Sequence, residues 1–224
     1  MTDLVQLKFK RNRGWPWPEV SFGLTPMYGE DGWCHACGVP NGPQTGSLVL
    51  QRKSMRPEGG WVPYWHYDSP CVGEKAADAI RGRFAVELRE VQWHASSPGR
   101  AFQILIPVVG ERWFAPEGLE KKGLEHHGRA GAQCADCGVW RWVPLDFGIL
   151  PPMIDPGILA GHDVAASPEW FGDGLMAFRQ WLMNPELAAI IAEASPRDFV
   201  VKKPVELTGA EGTDPVWHPG GGSS

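Results

Sequence analysis

The sequence predicts an α+β domain made of two related strand-helix-strand halves, joined by a shared zinc-knuckle pair and rich in loops. Three observations point there. First, "CHACG" (Cys34 to Gly38) and "CADCG" (Cys134 to Gly138) repeat the pattern Cys-x-x-Cys-Gly, with 96 residues between Cys37 and Cys134. Second, the chain beyond each pair runs through an aromatic extended stretch, a helix start marked by proline, and a further strand. Third, 28 glycines, 21 prolines and 12 tryptophans occur together. That composition implies many turns and short elements, with aromatic surface filling a core that long helices do not supply.

The halves divide as 1–110 and 111–210 within one integrated domain, with 211–224, ending "HPGGGSS", as a disordered tail. In the first half, "GGWVPYWHYDSPCVGEKAADAIRGRFAVELREVQW" reads as an aromatic strand, a helix opening at Ser69 and Pro70 and reaching about Arg83, then a strand from Ala85 to Trp93. Proline suits a first helical turn because its missing N–H has no intrahelical acceptor there. "RAFQILIPVVG" is a buried-strand candidate and "APEGLEKKGLEHHGRAGAQ" a polar connection. In the second half Asn184 reads as an N-cap with Pro185 in the first turn. The helix runs to Ala194, with Leu187, Ile190, Ile191 and Ala194 on one apolar face, and a strand follows. The shared order fits an internal duplication or the ordinary recurrence of such units in α+β proteins. The intervening "PLDFGILPPMIDPGILAGHDVAASPEWFGDG" carries proline and glycine throughout, so it is not one regular element.

Bulk properties bound the function. With 224 residues and 43% hydrophobic content the chain can build an ordinary core. No stretch is long and apolar enough to cross a membrane, and the N-terminus lacks the basic, apolar, small-residue order of a secretory signal, so a cytoplasmic protein without membrane contact is expected. The net charge of -5 opposes binding to a phosphate backbone. The basic patch of Lys8, Lys10, Arg11 and Arg13 is too short to reverse it, so no direct nucleic-acid partner is expected.

The cysteines carry the chemistry. Of the five, four lie in the Cys-x-x-Cys pairs; Cys71 reads as a buried small hydrophobe with no assigned role, and is the cysteine expected to react in the folded protein if any does. A thioredoxin-type pair opens a helix, whereas Gly38 and Gly138 turn the chain toward an extended segment, as in a zinc knuckle. One pair supplies two ligands and a structural zinc takes four, so Cys34, Cys37, Cys134 and Cys137 are expected to share one zinc ion. Redox thiols and separate Cys2His2 sites using His35, His126 and His127 are the rival readings. A four-thiolate site leaves no open position, so the metal would stabilise rather than catalyse. No nucleophile elbow, metalloprotease or nucleotide-binding motif is present, and His66, His94, His162 and His218 are isolated, so no catalytic residue is assigned and the chain is not expected to be an enzyme.

The doubled CxxCG, the "ILPP" segment from Ile149 to Pro152 and the C-terminal "FRQWLMNPELAAIIAEASPRDFVVKKPVEL" resemble the double-CXXCG motif proteins of myxobacteria, over Trp33 to Leu207. That family includes immunity proteins paired with Sit-type swarm-inhibition toxins. The resemblance implies an antitoxin-like protein that binds and neutralises a cognate bacterial toxin by occlusion; the alternative is a zinc-ribbon nucleic-acid-binding or accessory module. From Pro144 to Gly174 the chain carries Asp146, Asp155, Asp163, Glu169 and Asp173 without a Lys or Arg, interleaved with Phe147, Met153, Trp170 and Phe171. Such a loop is the expected partner surface, with Asp146, Asp155, Asp163, Glu169, Trp170, Phe171 and Asp173 as its contacts, unless the aromatics pack in the core and the acids form a solvated face.

Overall fold

The structure is a computed structural model that describes residues 4–10, 16–51 and 56–202. Arg11 and Arg13 of the basic patch and the expected tail at 211–224 lie outside the described residues. The elements in chain order are β1 (Gln6–Phe9), α1 (Leu24–Tyr28), β2 (Val49–Gln51), β3 (Gly60–Trp61), β4 (Cys71–Gly73), α2 (Glu74–Ile80), β5 (Glu87–Glu90), β6 (Gln92–His94), β7 (Ala101–Leu105), α3 (Pro116–His127), β8 (Gly131–Gln133), β9 (Trp140–Trp142), β10 (Val164–Ala166), β11 (Trp170–Asp173), β12 (Met176–Phe178), β13 (Trp181–Met183), α4 (Pro185–Ala194) and β14 (Phe199–Lys202). Short 3-10 turns lie at Ser21–Gly23 and Pro156–Leu159. The class is α+β, with no strand longer than five residues among the described residues, in keeping with the density of turn-forming residues. No helix among the described residues is long and apolar enough to cross a membrane.

Two four-stranded sheets organise the chain. One has the order β3-β4-β7-β5, all antiparallel; the other runs β12-β11-β9-β8, with β9 and β11 parallel. Two-stranded pairs β1-β14, β10-β13 and β2-β6 join distant parts of the sequence. The β1-β14 pair sets Gln6 opposite Lys202 and Phe9 opposite Phe199, so the N-terminal strand is zipped to the C-terminal one. The largest apolar cluster accordingly mixes Leu7, Val72 and Ile80 with Trp181, Leu187 and Ile191. Burial of apolar area from both halves contributes roughly 25 cal/mol per Å².

Helix α4 spans the predicted residues, though its buried face takes Ala188 in place of Ala194, which is exposed. The Asn184 side chain accepts from the Glu186 N–H at 2.9 Å, Pro185 occupies the first turn, and Leu187 and Ile191 are buried. Strand β7 likewise falls within "RAFQILIPVVG", and 144–174 is broken into a 3-10 turn and short strands.

Two expectations are corrected. Pro70 does not open a helix: Cys71–Gly73 form β4, which is paired with β3 on one side and β7 on the other, and α2 begins only at Glu74. A Cβ on Gly73 would lie 1.9 Å from the Pro57 carbonyl oxygen, so the strand-to-helix junction is tight. The polar connection contains a 12-residue helix, α3, started by Pro116 and closed by Gly128 at φ 68°. Gly118 and Gly123 lower its intrinsic propensity by about 1 kcal/mol each. Packing holds it instead: Leu119 is buried, and Gly123 lets the backbone of Ala130 approach to 2.8 Å of where a Cβ would stand. The recurring strand-helix-strand order is present in secondary structure, but its pairing differs. Strand β4 is central in a four-stranded sheet, whereas β13 forms a two-stranded pair with β10 and a single bridge from Met183 to Val5.

Candidate metal centre

Each Cys-x-x-Cys-Gly segment folds into the same turn. In the first, the Cys34 N–H donates to the Val39 carbonyl at 2.8 Å and the Gly38 N–H to the Cys34 carbonyl at 2.7 Å. In the second, Cys134 bonds to Val139 and Gly138 to Cys134, both at 2.9 Å. Gly38 and Gly138 adopt φ of 76° and 71°, a left-handed conformation that costs a residue with a Cβ roughly 1–2 kcal/mol. This is the physical reason both pairs end in glycine: the chain reverses and leaves the two thiols of each turn on one side.

The two turns face one another. Cys34 and Cys134 have Sγ atoms 3.8 Å apart, Cys37 and Cys137 3.6 Å, and all four sulfurs lie within 4.8 Å of one another. A tetrahedral ion with sulfur at about 2.3 Å requires sulfur-sulfur separations of about 3.8 Å. The cluster can therefore hold one metal ion, and the four residues predicted as ligands are the four brought together.

Flanking residues fix the pairing of the turns. Val39 of the first and Val139 of the second pack with Trp170 and Ala177 around the cysteines. Arg141, on β9, reaches from the second turn to the first: its Nη1 donates to the carbonyls of Cys37 at 3.0 Å, Gly174 at 2.7 Å and Met176 at 3.2 Å. Neither the spacing nor the periodicity of the sequence marks Arg141; the one signal is a cation between two tryptophans where an alternating strand would bury its neighbours.

The thiols differ in their surroundings. Burial pushes the Cys37 thiol well above its ordinary range and raises that of Cys137. The N–H groups of Cys137 and Asp136 hold Cys134 down at about 7, favouring the thiolate that a metal binds. The histidines raised as rival ligands are elsewhere. His35 bonds to the Glu30 carbonyl at 2.7 Å and stacks on Trp33, while His126 and His127 end α3. Among the described residues the only cluster suited to a metal is the four cysteines. Cys71 is the buried small hydrophobe expected, completely enclosed in β4 with its thiol pushed up by burial, and that burial speaks against its being the cysteine that reacts.

The acidic stretch is used differently from a plug. Glu169 accepts from the N–H groups of Trp113 at 2.7 Å and Phe114 at 3.1 Å, and Asp163 accepts from Ala85 N–H at 2.7 Å and the Asn184 amide at 2.9 Å. Asp146 pairs with Lys8 at 3.2 Å, Asp155 caps the turn at Gly157, and Asp173 pairs with Arg129. Phe171 is fully buried, and Trp170 stacks beneath Arg179. Phe171, fully buried where β11 pairs with β9 and β12, is thus corrected from a surface contact to a core residue; Asp163 and Glu169 are half-buried and bonded to backbone N–H groups, while Asp155 and Asp173 are exposed.

No protein-family model, curated protein or solved structure matches the chain.

Proposed function

We propose that the chain is a metal-stapled immunity protein that binds a cognate bacterial toxin in the cytoplasm and neutralises it by covering a surface the toxin needs. The observation that carries the reading is the convergence of Cys34, Cys37, Cys134 and Cys137 across the sequence. A four-sulfur donor set suits zinc, and it leaves no position for a substrate or activated water, so the ion would act as a cross-link. A chain built this way presents a fixed surface rather than a reaction centre. The doubled CxxCG supplies the toxin partner by resemblance, and the acidic balance disfavours the nucleic-acid module. Asp155 and Asp173 are the exposed acidic residues of the 144–174 stretch, placed to meet a basic toxin surface.

Protein purified without chelator is expected to carry one zinc per chain. Capture from the host should retain one protein, and expressing that protein alone in a heterologous cell should stop growth, with growth restored by this chain. Near-zero zinc would overturn the staple. A captured partner that is harmless by itself, or retention of nucleic acid in place of protein, would overturn the immunity reading.

A further inference from the structure

A second feature uses none of the four cysteines. A cleft of about 810 Å³ opens between the loop after the first knuckle and the strands around β7, and its lining includes Tyr28, Asp68, Val108, Trp170 and Arg179. Its size is within the range of about 300–1,000 Å³ typical of small-ligand sites.

The charges in its wall are unevenly compensated. Arg89 is committed to Glu87 at 2.8 Å and to the carbonyls of Gln44 and Gly46. Arg179 lies within charge range of Asp68 but places its hydrogen bonds elsewhere: Nη1 donates to the Ser167 and Pro168 carbonyls, and the group lies 3.9 Å over the Trp170 ring. Gln44 and Gln103 bond to each other in both directions. Asp68 feels the charge of Arg179 but is not directly paired with it. It accepts the backbone N–H of Arg179 at 3.0 Å and forms no ion pair among the described residues.

A half-buried carboxylate that makes no direct ion pair is only partly compensated. Burial raises the Asp68 pKa to about 6, and the opposing pull of the Arg179 N–H and guanidinium does not restore its ordinary value. Tyr28, across the cleft, has its phenol raised by burial and by the charge of Asp68. We propose that this cleft binds an organic cation, a guanidinium or primary ammonium on an aliphatic stem, with Asp68 as counter-ion and the apolar wall at Pro107 and Val108 against the stem. The cation would come from a free small molecule or from a side chain of a partner's segment. The cleft shares Trp170 with the surroundings of the metal centre but uses none of the four cysteines, and its preference for a cation does not depend on which protein the chain neutralises.

The test is an NMR titration of the full, metal-loaded chain with four capped single residues: N-acetyl, N-methylamide forms of arginine, lysine, norleucine and glutamate. The cationic probes are expected to bind at least about tenfold more tightly than norleucine. Asp68→Asn should remove that preference while metal content and the melting midpoint are kept, and Asp173→Asn, at an exposed ion pair, should leave it intact. Val108→Trp, on the exposed wall, should block binding with Asp68 in place, which covers the case of an Asp68→Asn chain that does not fold. A pentapeptide Gly-Gly-Arg-Gly-Gly binding more tightly than the capped arginine assigns the site to a partner segment; equal or weaker binding assigns it to a small molecule. Cationic probes no better than norleucine, a preference that survives Asp68→Asn or Val108→Trp, or glutamate as the best ligand would each overturn the proposal.

Discussion

The two knuckles share a backbone but not an environment. Cys34 and Cys37 are 8% and 1% exposed and sit in an apolar cluster with Val39, whereas Cys134 and Cys137 are half-exposed at the turn of the β8-β9 hairpin. The glycines show the same contrast. A Cβ on Gly38 would lie 2.1 Å from the Leu175 carbonyl oxygen, while one on Gly138 would meet nothing within 4 Å. The first knuckle is therefore part of the interior and the second closes over it from the solvent side. An identical local motif specifies the ligand geometry, while the surrounding packing decides which pair anchors the ion and which pair exchanges with water.

The largest expected effect comes from losing the cross-link. With free zinc at about a thousandfold over its dissociation constant, binding to the folded state adds about 4 kcal/mol of stability. Chelation should then lower the melting midpoint by roughly 8–16 °C for a chain of this size. The single changes Cys37→Ser and Cys134→Ser are expected to lose the ion alike. Cys37→Ser should melt lower of the two, because it also leaves a hydroxyl in the buried wall. Calorimetry with metal analysis on both variants checks this, and equal melting of the two would remove the anchoring role of the first knuckle.

A middle-sized effect separates the two glycines. Both Gly38→Ala and Gly138→Ala force a left-handed residue, at roughly 1–2 kcal/mol. Gly38→Ala must also push the 174–176 turn away, so its total loss should reach about 3 kcal/mol or more, where overpacking a tight site adds about 1–3 kcal/mol. Thermal melts in excess zinc are the measurement. Equal losses would show that the Leu175 carbonyl yields and that the first turn is no more rigidly held than the second.

How much of this was readable follows from where the information lies along the chain. The four ligands and the turning glycines are written within five-residue segments, and their meeting needed only the rule that zinc takes four ligands. Asn184 and Pro185 likewise announce α4 within two residues. Helix α3 is obscured by Gly118 and Gly123, whose value appears only where Pro151 packs against the first and Ala130 against the second. Cys71 and Val72 read as a helix start after Pro70, because nothing local reveals that β3 and β7 claim them from either side. The carboxylates between Asp146 and Asp173 look like a free charged face until their partners, Lys8, Ala85, Trp113 and Arg129, arrive from distant parts of the sequence. Arg141 is hidden for the same reason, since its three carbonyl partners are residues 37, 174 and 176.

The smallest effect is on reactivity alone and bears most directly on the difference between the turns. In metal-free protein that is still folded, Cys134 is exposed to solvent at the hairpin turn and its thiol is held at about 7 by the N–H groups of Cys137 and Asp136. About half of it should be thiolate at neutral pH, and since the thiolate is the nucleophile, alkylation of Cys134 should rise as pH increases through 7 and level off above it. Cys37 is buried with its thiol pushed up, and Cys71 is sealed inside β4, so both should stay unlabelled over the same interval. Brief alkylation at pH 6, 7 and 8, read by peptide mass spectrometry, gives the order. With zinc bound, labelling of Cys134 should fall together with that of Cys34, Cys37 and Cys137, because all four sulfurs are then held by one ion. Cys37 labelled as fast as Cys134 in the metal-free chain would mean that the first knuckle opens as readily as the second, and the asymmetry between them would not survive.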